Sequence, residues 1–237
     1  MVSKELKTFI EAVRFPILFV LLMWIVHIYR IATNTELFTY GVFPRTLSGA
    51  KGILFSPFIH SDFGHLASNT FPMLVLGFII FSFYKRVAFI SFLLIFLLTG
   101  FSVWLFASSR AFHVGASGVV YGLLSFVFWN GIFRRNLKAI VLALVVLVLY
   151  SGYFFGVLPD QPGISWESHL FGGIVGIIIS FLFKSVIEED EHEKDDPWAN
   201  DDQSTHYFLQ RDIFEKTKAQ RIAEQQAEQQ NNQSTTW

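Results

Sequence analysis

Apolar residues in this chain come in long runs rather than in alternation. Six of them are long enough, or nearly so, to cross a hydrocarbon core that needs about 20 helical residues. They cover Pro16 to Ala32, Gly64 to Tyr84, Val87 to Ala107, Gly115 to Phe133, Ala139 to Gly156, and Glu167 to Ile187. Hydrocarbon offers a peptide group no hydrogen-bonding partner, so such runs are expected to be α-helical. The pattern therefore predicts an all-α polytopic membrane protein, a bundle of six transmembrane helices within residues 1–187. The first run lacks a convincing small-residue cleavage site and five more follow, so it reads as a retained helix and not as a signal peptide.

Two segments fall outside this pattern. The connection of about residues 33–63 carries Leu37, Phe38, Phe43, Leu47, Ile53, Leu54, Phe55 and Phe58, too apolar for a solvated loop, and is expected to lie in the interfacial layer. Residues 188–237 open on Glu188, Glu189, Asp190 and Glu191 and end in a glutamine-rich stretch. They are expected to form a polar tail, disordered or loosely helical.

Composition agrees with the pattern: 52% of the 237 residues are hydrophobic and 28 are Phe, outside the range of ordinary soluble domains. The formal net charge of −1 gives no field that would attract nucleic acid. Cysteine is absent, which removes disulfides, thiolate metal sites and a cysteine nucleophile. The informative charge is positional. Lys4, Lys7 and Arg14 precede the first run, Lys85 and Arg86 separate the second and third, Arg134, Arg135 and Lys138 separate the fourth and fifth, and Lys184 ends the sixth. Basic residues in short connections are held in the cytoplasm, so both termini of this multi-pass membrane protein are expected inside.

Polar side chains inside such runs are costly and mark function or helix contact. His65 and Asn69 lie four apart at the start of the second run, on one helix face. Gly115, Ala116, Ser117 and Gly118 open the fourth, with Tyr121 four residues after Ser117. His169 opens the sixth, followed by Gly172, Gly173 and Gly176 at spacings suited to close packing. These three runs all descend from the outer side, so at 1.5 Å per residue Asn69 sits roughly 8 Å, and Ser117 and His169 roughly 3 to 5 Å, into their helices. A convergent polar site below the outer surface is expected. Ser with His is the minimum for nucleophilic acyl transfer, given donors for the oxyanion.

Each piece has a plainer reading. Gly-x-Ser-Gly is often small-residue packing, the His and Asn could be interhelical glue, and the glycines could be ordinary close-approach residues. Three rival functions also fit parts of the pattern. A transporter usually places its polar groups at mid-depth with paired inverted repeats, which are not found. A non-cutting scaffold would leave Ser117 unreactive. A zinc protease could draw on His60, His65, His113 and His169, but no His-Glu-x-x-His helix is present.

The stretch from His60 through Asn69, the run Gly115 to Tyr121 and the run His169 to Gly176 together resemble the rhomboid proteases, and the resemblance covers nearly everything from the first span to the sixth. It implies an active intramembrane serine endopeptidase with Ser117 as nucleophile and His169 as general base, a dyad without an acid. It implies that His65, Asn69 and the Ser117 backbone amide bind the oxyanion, that Tyr121 packs on the imidazole, and that His60 supports the first loop. Gly115, Gly118, Gly172 and Gly176 fall in the matching motifs. Neither cofactor nor metal is expected. The implied substrates are single-pass or other membrane proteins with helix-weakening residues, cut near the outer face within the lipid bilayer. Tyr150, Tyr153, Phe154 and Phe155 could form a lateral gate, and the loop from Leu158 to Ser165 could cap the site. Many members carry a Trp-Arg pair in the first loop, where this chain reads Lys51 and Gly52.

Overall fold

The computed structural model describes residues 3–159, 165–186, 188 and 216–234. The chain divides into two compact units, Met1–Glu191 and His192–Trp237. Among the described residues every regular element is helical, and Val42 and His113 form an isolated bridge of strand type.

Helix α1 runs from Lys4 to Thr33, capped by Ser3, whose hydroxyl accepts from the Leu6 amide at 3.3 Å, and closed by Asn34 in the left-handed region at φ 52°. It begins well before Pro16, where the apolar run starts. Lys4, Lys7 and Arg14 interrupt the apolar pattern without opposing helix, and Pro16 removes only one backbone bond. Its 30 residues give about 45 Å, more than a hydrocarbon core needs. The Pro16 ring lies in a notch of the next long helix, α4 (Phe63–Phe83), where a Cβ on Gly77 would come within 2.7 Å of it.

Among the described residues, four helices are long and apolar enough to cross a membrane: α1, α4, α5 (Ala88–Phe106) and α8 (Trp166–Phe183). The fifth apolar run does not form one straight helix. It is α7 (Leu137–Leu149) followed by a 3-10 segment, Ser151–Val157, the two bent by 66°. Counted as one broken span, this pair makes five. The fourth run becomes α6 (Ser117–Arg134), 18 residues long and less apolar because Ser117, Ser125 and Asn130 lie within it. It packs against α4, α5, α7 and α8, and Leu123, Phe126 and Val127 on it are fully buried. Protein covers most of this helix, with Ile132 exposed, and protein-facing positions are where polar side chains in a membrane are tolerated.

The first connection folds as short helical pieces, including α2 (Leu47–Ala50) and α3 (Gly52–Phe55). Val42, Ile59 and His60 are buried, whereas Leu47, Leu54 and Phe55 are exposed. At the opposite end of the bundle, basic side chains meet the carbonyl ends of helices. The Arg134 guanidinium donates to the Phe183 and Val186 carbonyls and Lys138 to that of Phe83, an arrangement the helix dipole favours. In the second unit, Lys216, two residues before α9 (Lys218–Ser234), makes a 2.8 Å ion pair with Glu224 on that helix. The expected polar tail otherwise lies largely outside the described residues.

Candidate active site

Three of the long helices start at the same end of the bundle, and their first turns meet. Ser117 is the first residue of α6, and His169 lies in the first turn of α8. The helices approach closely because α6 and α8 face each other with glycines. A Cβ on Gly172 would overlap the Gly118 carbonyl oxygen, and one on Gly176 the Gly122 carbonyl oxygen. Gly173, grouped with them by spacing, has nothing within 4 Å of a Cβ. Its carbonyl instead accepts the Ser125 hydroxyl at 2.7 Å.

This approach places His169 Nε2 at 2.8 Å from Ser117 Oγ. The other ring nitrogen, Nδ1, is 2.7 Å from the Gly156 carbonyl. A carbonyl only accepts, so Nδ1 carries the proton and Nε2 presents its lone pair to the hydroxyl. The imidazole also stacks on Tyr121, with ring centroids 4.1 Å apart and planes within 10°. The Tyr121 hydroxyl donates to the Tyr153 carbonyl at 2.7 Å. Ring orientation and proton position are thus set by α6 on one face and by two carbonyls of the 3-10 segment. Gly156 has to be glycine for this: a Cβ would meet the Tyr121 hydroxyl and come within 3.2 Å of His169 Nδ1. Glu167 turns away, accepting from the Ser108 amide at 2.9 Å beside His113.

On the other flank, His65 and Asn69 occupy the first two turns of α4. Asn69 is buried, and its amide donates to the His65 carbonyl at 2.8 Å, leaving a second N–H on the same nitrogen. The His65 ring lies over Gly115, where a Cβ would be 2.6 Å from Nε2; Gly115 sits at φ 104°, open to glycine at little cost. His65 Nδ1 is 3.1 Å from the Ser61 hydroxyl. His60 is 1% exposed. Burial, with the neighbouring His65 ring adding to it, brings its imidazole down to about 3. It is therefore neutral, and its Nε2 accepts the Ala116 amide at 3.4 Å. His60 thus braces the residue just before Ser117. The first turn of α6 has no side-chain cap, so amides there remain available to a bound anion.

Residues 48–186 match the family model of the Rhomboid domain. The chain belongs to the rhomboid family. Relatives of this rhomboid include uncharacterized proteins of Mycobacterium tuberculosis and Mycobacterium bovis, each 32% identical over 176 residues, 70% of this chain and 73% of theirs. Another uncharacterized protein, from Mycobacterium leprae, is 30% identical and covered over 69% of its length. Membership makes the chain an integral multi-pass membrane protein of a family that consists generally of intramembrane serine proteases.

Sequence reasoning missed one contributor to the site of this rhomboid and two side chains that anchor its first connection. The Gly156 carbonyl has no side-chain signature. Arg45 and Trp104 fasten the first connection, which has Lys51 and Gly52 in place of a Trp-Arg pair, to the end of α5. Arg45 donates to the Ala107 carbonyl at 2.7 Å, and the Trp104 indole donates to the Thr46 carbonyl at 2.8 Å. A lone arginine in an apolar outer loop was the available signal. Of the residues suggested for a gate, Tyr153 bridges to α4 through a bond from its hydroxyl to the Ser68 carbonyl at 3.3 Å, and Phe155 is exposed. The Phe154 side chain and residues 160–164 of the suggested cap lie outside the described residues.

Proposed function

We propose that this rhomboid is an intramembrane serine endopeptidase that cuts transmembrane segments near the outer face of a bacterial plasma membrane, with Ser117 and His169 as its dyad. The observation that carries this reading is the 2.8 Å contact of His169 Nε2 with Ser117 Oγ, on a ring whose other nitrogen is committed to the Gly156 carbonyl. As Oγ bonds to the scissile carbonyl carbon, Nε2 takes its proton; the imidazolium then protonates the leaving amine, and water, deprotonated by the same nitrogen, releases the acyl group. The negative oxygen of each tetrahedral intermediate falls to the Ser117 amide, the second N–H of Asn69, and His65. The leaving peptide must first be unwound, because helical segments hide their carbonyls. This favours membrane-protein substrates with helix-weakening residues.

Purified protein in detergent, treated with a fluorophosphonate probe, should label covalently at Ser117. Labelling should vanish in Ser117→Ala and His169→Ala. Labelling that persists in Ser117→Ala would remove the assigned nucleophile, and a folded protein that never labels would favour a non-cutting scaffold.

A further inference from the structure

An oxyanion role for His65 depends on which ring nitrogen carries a proton, and the polar cap of α4 bears on that. Asp62 Oδ1 accepts from the His65 backbone amide at 2.8 Å, and Oδ2 accepts the Ser61 hydroxyl at 2.7 Å. A serine hydroxyl has one hydrogen. With it directed to the carboxylate, the Ser61 oxygen can only accept at its second contact, 3.1 Å from His65 Nδ1. His65 then holds its proton on Nδ1, and in the neutral ring Nε2 is a bare lone pair. Nε2 is the atom that lies against Gly115, two residues before Ser117. A lone pair there would repel an oxyanion.

We infer that Asp62, acting through Ser61, fixes the proton of His65 on Nδ1, so that Nε2 donates to the oxyanion only when the ring is cationic. The inference rests on the peptidase reading above and adds to it a positioning residue, Asp62, and a charge state for the donor. No proton leaves His65 in the reaction; the cation donates a hydrogen bond, which is stronger than a neutral one. Among the described residues, the titratable groups that face His65 are His60 at 5.0 Å between ring centroids, His27 on α1, His169 on α8 and Asp62. Asp62 is the only anion among them. The Ser61 hydroxyl and the His65 backbone amide hold its carboxyl below the usual range, so it stays ionised at working pH. Being exposed, it acts by directing hydrogen bonds more than by its screened field.

The test uses full-length protein in detergent with 15N-labelled histidine. Nitrogen NMR on the Ser117→Ala form identifies His65 by the resonances lost in His65→Gln. Above its titration midpoint, His65 should show a protonated Nδ1 and a bare Nε2. Ser61→Ala and Asp62→Asn, the latter still able to cap the helix, should each raise the Nε2-protonated form. In the active enzyme, turnover one pH unit above that midpoint should be about tenfold below its maximum, and clearly less reduced in Asp62→Asn, where the neutral ring can donate. A neutral His65 protonated on Nε2 in the otherwise unsubstituted protein overturns the inference. So do pH profiles that superimpose for wild type and Asp62→Asn while cleavage proceeds. Cleavage absent at every pH, with the expected tautomer in place, overturns the peptidase reading and the catalytic half of the inference with it.

Discussion

Asn69 uses one amide hydrogen on the carbonyl one turn back in its own helix, a bond whose loss leaves that carbonyl in the helical ladder. Asn69→Ala should therefore cost little stability while slowing turnover roughly 10- to 100-fold, about 1.4 to 2.7 kcal/mol, because other donors and water share the oxyanion. Turnover and melting temperature measured on the same preparation decide the matter; a lower melting temperature with unchanged turnover assigns Asn69 to packing. His60 makes a prediction about pH. Its pKa is about 3 in the folded protein, against about 6.5 unfolded. The unfolded chain binds the extra proton between these values, so stability is full above pH 6.5 and falls as pH drops toward 3. The slope is at most about 1.4 kcal/mol per pH unit for this one group. Melting temperature should fall less steeply between pH 7 and 5 in His60→Gln than in wild type, and identical slopes would refute the assignment. Ser117, His169, Tyr121, His65 and Asn69 were all legible as residues, because polar groups in apolar runs are conspicuous. Their proton positions were not, since these depend on Ser61, Asp62 and a backbone carbonyl brought up by the fold.

Between α6 and α8, the spacing of glycines announced a close contact but not which of them make it. Gly172 and Gly176 lie against carbonyl oxygens of α6, and Gly173 meets open space. Gly172→Ala should force the helices apart, costing about 1 to 3 kcal/mol and slowing fluorophosphonate labelling as His169 is drawn from Ser117. Gly173→Ala should leave labelling unchanged and raise the melting temperature slightly, because alanine is about 1 kcal/mol more favourable than glycine inside a helix. Equal effects at both positions would mean that the glycine contact does not set the gap. The fifth apolar run was the element read least well. Hydropathy counts Ser151, Gly152 and Gly156 among apolar neighbours without loss, yet serine and glycine favour helix poorly. The chain leaves the α-helix at Tyr150 and continues as a 3-10 segment. The same weakness that hid this break from a hydropathy reading delivers the Gly156 carbonyl to His169.

For the molecule as a whole, the long apolar runs made a helical membrane bundle legible, while the arrangement of the first connection depended on contacts with α5 that no local pattern contains. Orientation remains testable apart from catalysis. The chain has no cysteine, so single cysteines can be read without background. Leu47→Cys, at a position 93% exposed, should react with a membrane-impermeant maleimide added outside intact cells, and Trp237→Cys only after lysis. Reaction of both from one side would break the count of six spans and the common depth of the three polar clusters. A complete mutational scan would meet a blind spot. The group that orients His169 is a peptide oxygen, which every amino acid supplies, so no substitution deletes it and no pH within reach titrates it. Variants at Gly156 would score as steric damage, and genetics would count two partners where the imidazole has three.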